Sequence, residues 1–188
     1  MNNFNKAFEY LMSNETMLGK NGQVISHYED PATGEISNWG ASLAWLKTVD
    51  PEATADTIRG LTRDAAHDLY EKYWWEKYKL DQLSSDNVAA KMLDICVNCG
   101  PVTGIKMLQE ALNEPLTDAS EHLILDGIIG PKLIAAEAID TETQSGEYGL
   151  LAAIVSLLED HYQAIVAKNP AQQKNLKTWL TRAERLPS

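Results

Sequence analysis

The fold of this chain is decided by residues 28–40, whose sequence is YEDPATGEISNWG. Five turn-favouring residues, DPATG at 30–34, separate two runs that favour β-strands, VISHY at 24–28 and EISNW at 35–39. We therefore predict a β-hairpin. Side chains alternate between the two faces of a strand, so Tyr28 and Asp30 share one face and Glu29 lies on the other.

The rest of the chain has the pattern of helices. Apolar residues recur at helical spacing from Phe4 to Met12, and Ser13 and Asn14 indicate that this first helix ends just before Glu15. Further helices are predicted to begin at Thr62, Asp86, Pro131 and Pro170, with a long amphipathic helix over about residues 147–168. We expect a mainly α fold of the α+β class, in which a small N-terminal β-hairpin lobe faces a helical C-terminal lobe.

Composition limits the classes of function. The 188 residues are 44% hydrophobic and 23% charged, which is typical of one compact soluble domain over residues 1–188. The net charge of -11 argues against a nucleic-acid partner, because phosphate binding needs clustered Lys and Arg. The N-terminus has neither the basic start nor the apolar stretch of a secretory signal, so we expect synthesis in the cytoplasm.

The two cysteines, Cys96 and Cys99, have CxxC spacing within an apolar segment that is predicted to be helical. No second CxxC and no nearby His completes a set of metal ligands. We interpret them as reduced thiols in the core, and we expect no metal and no cofactor.

Glu15 and Asp30 are candidates for a catalytic pair of carboxyl groups. Hydrolysis of a glycosidic bond commonly uses one protonated carboxyl and one carboxylate on either side of the bond. A helix end facing a hairpin across a groove would place the two groups in different environments. With 27 acidic residues such a pair also arises by chance. Glu35 at the turn is an alternative to Asp30, and His27 is either a general base or a groove-lining residue.

The hairpin resembles that of phage T4-type lysozymes, which reads approximately Y-x-D-x-x-G-x-x-T-x-G-x-G. The aromatic residue, the Asp, the turn Gly, a hydroxyl residue and the last Gly all recur here, with one extra residue before the turn Gly. In that family a Glu that closes the first helix is the acid, and the hairpin Asp and Thr position water. The resemblance assigns these roles to Glu15, Asp30 and Ser37.

A second resemblance covers nearly the whole chain. The glycoside hydrolase 108 family of N-acetylmuramidases has the motifs D-P-x-x-x-x-T-N-x-G-I-T, A-x-x-I-Y-x-x-Y-W, D-x-x-V-N-x-G followed by L-Q, D-G-x-I-G-P, and a closing G-W-x-x-R. Similar residues stand here at 30–42, 65–74, 94–109, 126–131 and 179–182. Two departures are Thr16-Met17-Leu18, where the family has Gly-Gly-Tyr, and Ser37 in place of Thr.

This resemblance implies a lysozyme-like fold with a catalytic region at 1–85 and a helical peptidoglycan-binding-like region at 86–188. The implied reaction is hydrolysis of the β-1,4 bond between N-acetylmuramic acid and N-acetylglucosamine. Trp39, Tyr28, Asn98 and Gln109 are candidates for binding the sugar, and Trp74, Trp75 and Tyr78 are further aromatic candidates. For these side chains the alternatives are core packing and hydrogen bonds to the backbone.

The biological setting expected from the resemblance is a phage endolysin that causes host lysis. It would be a monomer without stable membrane insertion, made in the host cytoplasm and brought to the periplasmic wall by a holin or another delivery system. Its partner would be the glycan strands of bacterial peptidoglycan. The alternatives are a non-catalytic peptidoglycan-binding or virion structural protein, and a lysozyme-like antibacterial effector.

Overall fold

Helices make up most of the computed structural model, which describes residues 4–19, 21, 23–30 and 33–187. The α-helices are Phe4–Glu15 (α1), Leu43–Val49 (α2), Ala55–Arg59 (α3), Arg63–Tyr70 (α4), Asp86–Cys99 (α5), Pro101–Asn113 (α6), Pro131–Asp140 (α7), Gln144–Lys168 (α8) and Gln173–Glu184 (α9). Shorter helical turns are Glu71–Glu76, Leu80–Gln82, Ala119–Glu121 and Pro170–Gln172. The strands are Met17–Leu18 (β1), Val24–Ile25 (β2), His27–Glu29 (β3), Ile36–Asn38 (β4) and Ala41–Ser42 (β5). The predicted mainly α, α+β class is confirmed.

The predicted hairpin is present as the antiparallel pair β3 and β4, to which β5 adds a third strand. Its turn is closed by the Gly34 amide, which donates to the Asp30 carbonyl, and Gly34 has a φ of +71° that favours glycine. Pro31 and Ala32 of the predicted turn lie outside the described residues. The first strand is shorter than predicted, because Val24 and Ile25 pair instead with Met17 and Leu18 in a separate two-stranded sheet.

The main core is organised around α5. Residues from Val88 to Cys96 are buried without interruption in this helix, which packs against α1, α6 and α8. α1 contributes Phe8 and Leu11, both almost fully buried. Each such side chain contributes roughly 1.5–3 kcal/mol to folding. One continuous hydrophobic cluster therefore extends from α1 to α9 and runs through both regions predicted from the sequence. The division at residue 85 stays a prediction.

The hairpin has a smaller core of its own. Ile36 of β4 packs with Leu46 of α2, with Ile58 of α3 and with Ala53 between these helices. The face of the hairpin that carries Ile36 is therefore packed against α3, and the opposite face is turned away from this small core.

The helix starts follow the predicted signals with small shifts. Thr62 caps α4 by accepting from the Ala65 amide, and Pro131 lies in the first turn of α7, both as predicted. The cap of α5 is Ser85 and not Asp86, because the Ser85 hydroxyl accepts from the Val88 amide. Pro170 begins a short helical turn before α9 and not α9 itself.

α8 is long and apolar enough, by length and composition, to cross a membrane. In this structure it packs against α5, α6, α7 and α9 and buries Leu151, Ile154 and Leu158 in the main core. These contacts bury one face of α8 against other helices of the chain.

A buried lysine fixes the C-terminal end of α9. Lys91 of α5 is fully buried, and its ammonium group donates to the carbonyls of Ala183 at 2.7 Å and Arg185 at 2.8 Å and to the Tyr10 hydroxyl at 3.2 Å. The carbonyls at a helix end have no partner within the helix, so an internal cation is a suitable donor for them. Burial lowers the pKa of Lys91 to about 8.

We predict that Lys91→Met lowers the free energy of unfolding by about 2–4 kcal/mol, because it leaves buried carbonyls without a donor. The measurement is urea unfolding at pH 7, with Lys174→Met as the control, since Lys174 is an exposed lysine on α9. Between about pH 8 and the ordinary lysine pKa of 10.5, the unfolded chain binds more protons than the folded one. The difference between wild type and Lys91→Met should therefore increase with pH in that range. Equal unfolding midpoints for the two variants would contradict the role of Lys91.

Candidate active site

Glu15 is the last residue of α1, one position inside the helix end that the sequence predicted. Its side chain is 18% exposed, so it is shielded by its surroundings but still reaches the surface. Its carboxylate accepts a hydrogen bond from the guanidinium of Arg182 on α9, whose side chain is 14% exposed. The candidate acid therefore forms a salt bridge with a cation from the C-terminal part of the chain.

Arg182 is itself held by a second carboxylate. Asp94 of α5 is 1% exposed, and its two oxygens accept from the Nη2 of Arg182 at 2.8 Å and from the Nε at 3.3 Å. The Asn14 side-chain amide donates to the same carboxylate at 3.1 Å. Burial works to lower the pKa of Arg182, but Asp94 and Glu15 raise it above its usual value. The guanidinium therefore stays charged and fixed between the two acids.

Arg182 and Asp94 have no role predicted from the sequence, although both lie in the motifs quoted for the resemblance. The sequence feature that indicates this pair is Asp94, a carboxylate in the middle of a helix segment whose other residues, from Met92 to Cys96, are apolar. A charge at such a position must be paired inside the protein.

The hairpin lobe meets Glu15 at Gly40. This glycine has a φ of +76°, and a Cβ atom there would come within 2.8 Å of the Tyr70 hydroxyl and 2.9 Å of Glu15 Cγ. The Tyr70 hydroxyl donates to the Trp39 carbonyl at 3.3 Å. Burial raises the pKa of Tyr70, and the nearby charge of Glu15 adds to this, so the group remains a neutral hydroxyl. The backbone at 39–40 therefore packs directly on the stem of the candidate acid.

One face of the hairpin is occupied by structural contacts. Glu29 accepts from Arg59 of α3 at 2.7 Å and from His27 at 3.1 Å, and the hydrogen bond from Arg59 is the main reason that the pKa of Glu29 lies below its usual value. On the same face the Asn38 amide donates to the carbonyls of Ile58 and Leu61. His27 is therefore engaged with Glu29 on the face opposite Asp30.

The other face carries the residues assigned to water positioning. Tyr28 pairs directly with Ser37 across the two strands, and Asp30 lies two residues after Tyr28. By strand alternation these three side chains share the face turned away from α3. Asp30 is half-buried, whereas Glu35 is exposed beside the turn. The choice between Asp30 and Glu35 as the second carboxylate stays open.

The predicted sugar-binding residues occupy different places. Tyr28 is 54% exposed on the hairpin. Trp39 is half-buried, and its indole nitrogen donates to the Leu61 carbonyl at 3.2 Å. Asn98 is exposed at the end of α5, where its side-chain oxygen accepts from the Tyr162 hydroxyl at 2.7 Å.

Gln109 forms hydrogen bonds to the backbone, which is the alternative to sugar binding that the sequence analysis gives for it. It is buried on α6, and its nitrogen donates to Asp126 and to the Ile128 carbonyl while its oxygen accepts from the Gly127 amide. Its polar atoms therefore hold the segment 126–128 in place. Trp74 and Trp75 are buried in the main core, which is the packing alternative for aromatic residues.

A groove of about 820 Å³ lies beside Arg182. The residues that line it are Ser13, Asn14, Thr16, Met17, Asn98, Lys177, Thr178, Trp179, Thr181, Arg182 and Arg185. Of the predicted sugar-binding residues, Asn98 is the one that this groove contains. Gln109 lines a different depression, together with His122 and Asp126.

Within the described ranges, one group of side chains could hold a metal ion. His67, Asp68 and Glu71 bring their ligand atoms within 4.8 Å of one another on the surface of α4 and the turn that follows. Exposed acidic groups often lie this close without an ion, and the group includes none of the candidate catalytic residues. It therefore does not bear on the reaction.

Comparison with known proteins covers most of the chain. Residues 14–100 match the model of the family described as glycosyl hydrolase 108, and residues 103–184 match that of a predicted peptidoglycan domain. The solved structure of Brucella abortus SagA has a similar fold, with a TM-score of 0.61 and 23% sequence identity over 96% of this chain and 92% of that one. No curated protein sequence matches the chain.

The family match contains Glu15, the hairpin and Asp94, and the peptidoglycan domain contains Arg182. The similarity to SagA shows that these elements are arranged as in the fold of that protein. The chain contains a glycosyl hydrolase 108 region followed by a predicted peptidoglycan domain, and it is a peptidoglycan muramidase.

Proposed function

We propose that Glu15 is the general acid for hydrolysis of the β-1,4 bond between N-acetylmuramic acid and N-acetylglucosamine. The observation that carries this assignment is the position of the Glu15 side chain at a helix end, with its stem against the hairpin backbone at Gly40 and its carboxylate hydrogen-bonded to Arg182. A general acid must be held rigidly beside the leaving oxygen, and packed contacts on the side-chain stem provide this.

Arg182 and Asp94 are proposed as positioning residues for that step. The acid gives its proton to the leaving oxygen and becomes a carboxylate, and the Arg182 guanidinium then stabilises the charge that has formed. While Glu15 carries its proton, Asp94 still neutralises Arg182 through two hydrogen bonds. The guanidinium therefore keeps its position in both protonation states of the acid.

Asp30 and Ser37 are proposed to hold the attacking water on the hairpin face that they share with Tyr28. In inverting enzymes the two carboxyl groups are about 6.5–9.5 Å apart, which leaves room for water between them. In retaining enzymes, which form a covalent intermediate, the two groups are only about 5 Å apart. The resemblance to T4-type hairpins favours inversion. Glu35 remains the alternative to Asp30.

The proposed setting is a phage endolysin, made as a monomer in the host cytoplasm and released to the periplasmic wall by a holin. An injected antibacterial effector would use the same chemistry with another delivery system. Expression in the cytoplasm with and without a holin tests the endolysin setting, because an endolysin is expected to lyse the cell only when the holin is present.

A non-catalytic wall-binding or virion structural protein is the alternative function from a different class. It would bind purified peptidoglycan without releasing reducing sugar. Mass analysis of the digestion products distinguishes this rival from a muramidase, and it also separates glycan cleavage from peptide cleavage.

We predict that Glu15→Gln lowers the release of reducing ends from purified peptidoglycan by a factor of about 10² to 10⁴, because the amide cannot supply the proton. The control is Glu9→Gln on the same helix, where the carboxylate is exposed and pairs with Arg63. Circular dichroism should show both variants folded. Full activity of Glu15→Gln would exclude Glu15 as the acid.

For Asp30→Asn we expect a large loss of the same activity, of at least about tenfold, since the amide cannot accept a proton from water. Glu35→Gln, measured in parallel, tests the alternative carboxylate. If Asp30→Asn keeps the wild-type rate while Glu35→Gln loses it, the second role belongs to Glu35.

Gly40→Ala tests the contact between the hairpin and the acid, and Gly34→Ala is its matched control. Both glycines have positive φ, so each substitution costs about 1–2 kcal/mol of backbone strain. At Gly40 the new methyl group overlaps Glu15 and Tyr70, whereas a Cβ at Gly34 has no heavy atom of the described residues within 4 Å. We expect Gly40→Ala to lower kcat by more than about tenfold and Gly34→Ala to leave it nearly unchanged. Equal effects of the two substitutions on kcat would show that the contact at Gly40 does not position the acid.

A further inference from the structure

The groove beside Arg182 adjoins Glu15, the proposed general acid. The guanidinium that lines the groove is the one that binds Glu15, and Asn14 and Thr16 on either side of Glu15 line it as well. A saccharide unit bound next to Glu15 would therefore have this groove within reach of its substituents.

The charge of the groove is opposite to that of the chain. Lys177, Arg182 and Arg185 line it, and no Asp or Glu is among its lining residues. The whole chain has a net charge of -11, and the groove between α6 and α8 is lined by Glu110, Glu114 and Asp160. A local excess of positive charge in an acidic protein attracts an anionic ligand to that place.

Two of these cations have no carboxylate partner within the described residues. Arg182 is neutralised by Asp94 and Glu15. Arg185 donates to the Ser13 carbonyl and to the Asn14 side-chain oxygen, both of which are neutral. Lys177 is exposed on α9, and neither it nor Arg185 forms a salt bridge in the part of the chain that the structure describes. Both charges are available to a ligand.

The other lining residues are suited to amide groups. Thr16, Thr178, Thr181 and Asn98 offer side-chain hydrogen-bond donors and acceptors, and Trp179 offers a flat apolar ring. A ligand that combines carboxylates with peptide bonds would match both the charge and the polarity of this surface.

We infer that this groove binds carboxylates on the lactyl arm of N-acetylmuramic acid. This inference rests on the proposed function. The lactyl arm is the chemical difference between the two sugars of peptidoglycan, and it carries a short peptide with free carboxylates. Binding of this arm by Lys177 and Arg185 orients the muramic acid residue, and hence the scissile bond, relative to Glu15. The carboxylate comes either from the peptide or from the lactyl group itself.

The test compares Lys177→Glu with Lys174→Glu, an equal charge change at an exposed position of the same helix that does not line the groove. One substrate is peptidoglycan with intact peptides. The other is the same material after an amidase has removed the peptides and left the lactyl carboxylate. We expect Lys177→Glu to raise KM about three- to tenfold, as for reversal of one exposed charge, with the effect reduced at high salt.

A rise in KM with intact peptidoglycan alone supports binding of the peptide carboxylates, and a rise with both substrates supports binding of the lactyl carboxylate. If Lys177→Glu and Lys174→Glu have the same KM on both substrates, the inference is overturned.

A binding measurement separates this inference from the proposed function. Titration of N-acetylmuramoyl dipeptide into the Glu15→Gln protein requires no catalysis. Binding that Lys177→Glu weakens about three- to tenfold and Lys174→Glu does not would support the groove even if the wild type proved inactive. Hydrolysis by the wild type, together with muramoyl dipeptide binding that is unaffected by Lys177→Glu, would reject the groove and keep the muramidase.

Discussion

The structure depends on one buried guanidinium. Arg182 of α9 donates to Asp94 in the central helix and to Glu15 at the end of α1, so a single side chain ties three helices together at the proposed catalytic acid. A buried cation with two carboxylate partners is strongly destabilised if a partner is lost, because the remaining charge is left without compensation. The geometry of the active site is for this reason coupled to the packing of the whole helical lobe.

The end of α9 is fixed by a second set of contacts next to the first. Lys91 donates to the carbonyls of Ala183 and Arg185, and the Tyr10 hydroxyl also donates to the Arg185 carbonyl. α1 and α5 thus hold the backbone of α9 directly after Arg182, the residue whose side chain reaches Glu15. The helical contacts of the proposed acid are therefore made by rigid elements.

Much of the fold followed from local chemistry. The turn residues at 30–34, the Thr62 cap and Pro131 each specify a short-range geometry, and the structure has the hairpin and the helix starts where these residues predict them. The arrangement around Glu15 could not be predicted in this way, because Arg182 lies far from Glu15 in sequence and nothing local specifies their contact. Gln109 shows the same limit, since its segment 126–128 is distant in sequence and is joined to it only by the folded chain.

The contact between Glu15 and Arg182 also crosses the boundary between the two matched regions, the glycosyl hydrolase at 14–100 and the peptidoglycan domain at 103–184. Many wall-degrading enzymes are modular, with a targeting unit that can be exchanged by recombination while the hydrolase keeps its machinery. Here an exchange of the C-terminal unit would remove the arginine from the proposed reaction centre. The two units are therefore constrained to be inherited together, and an engineered chimera would have to carry over α9 with its arginine in the same register.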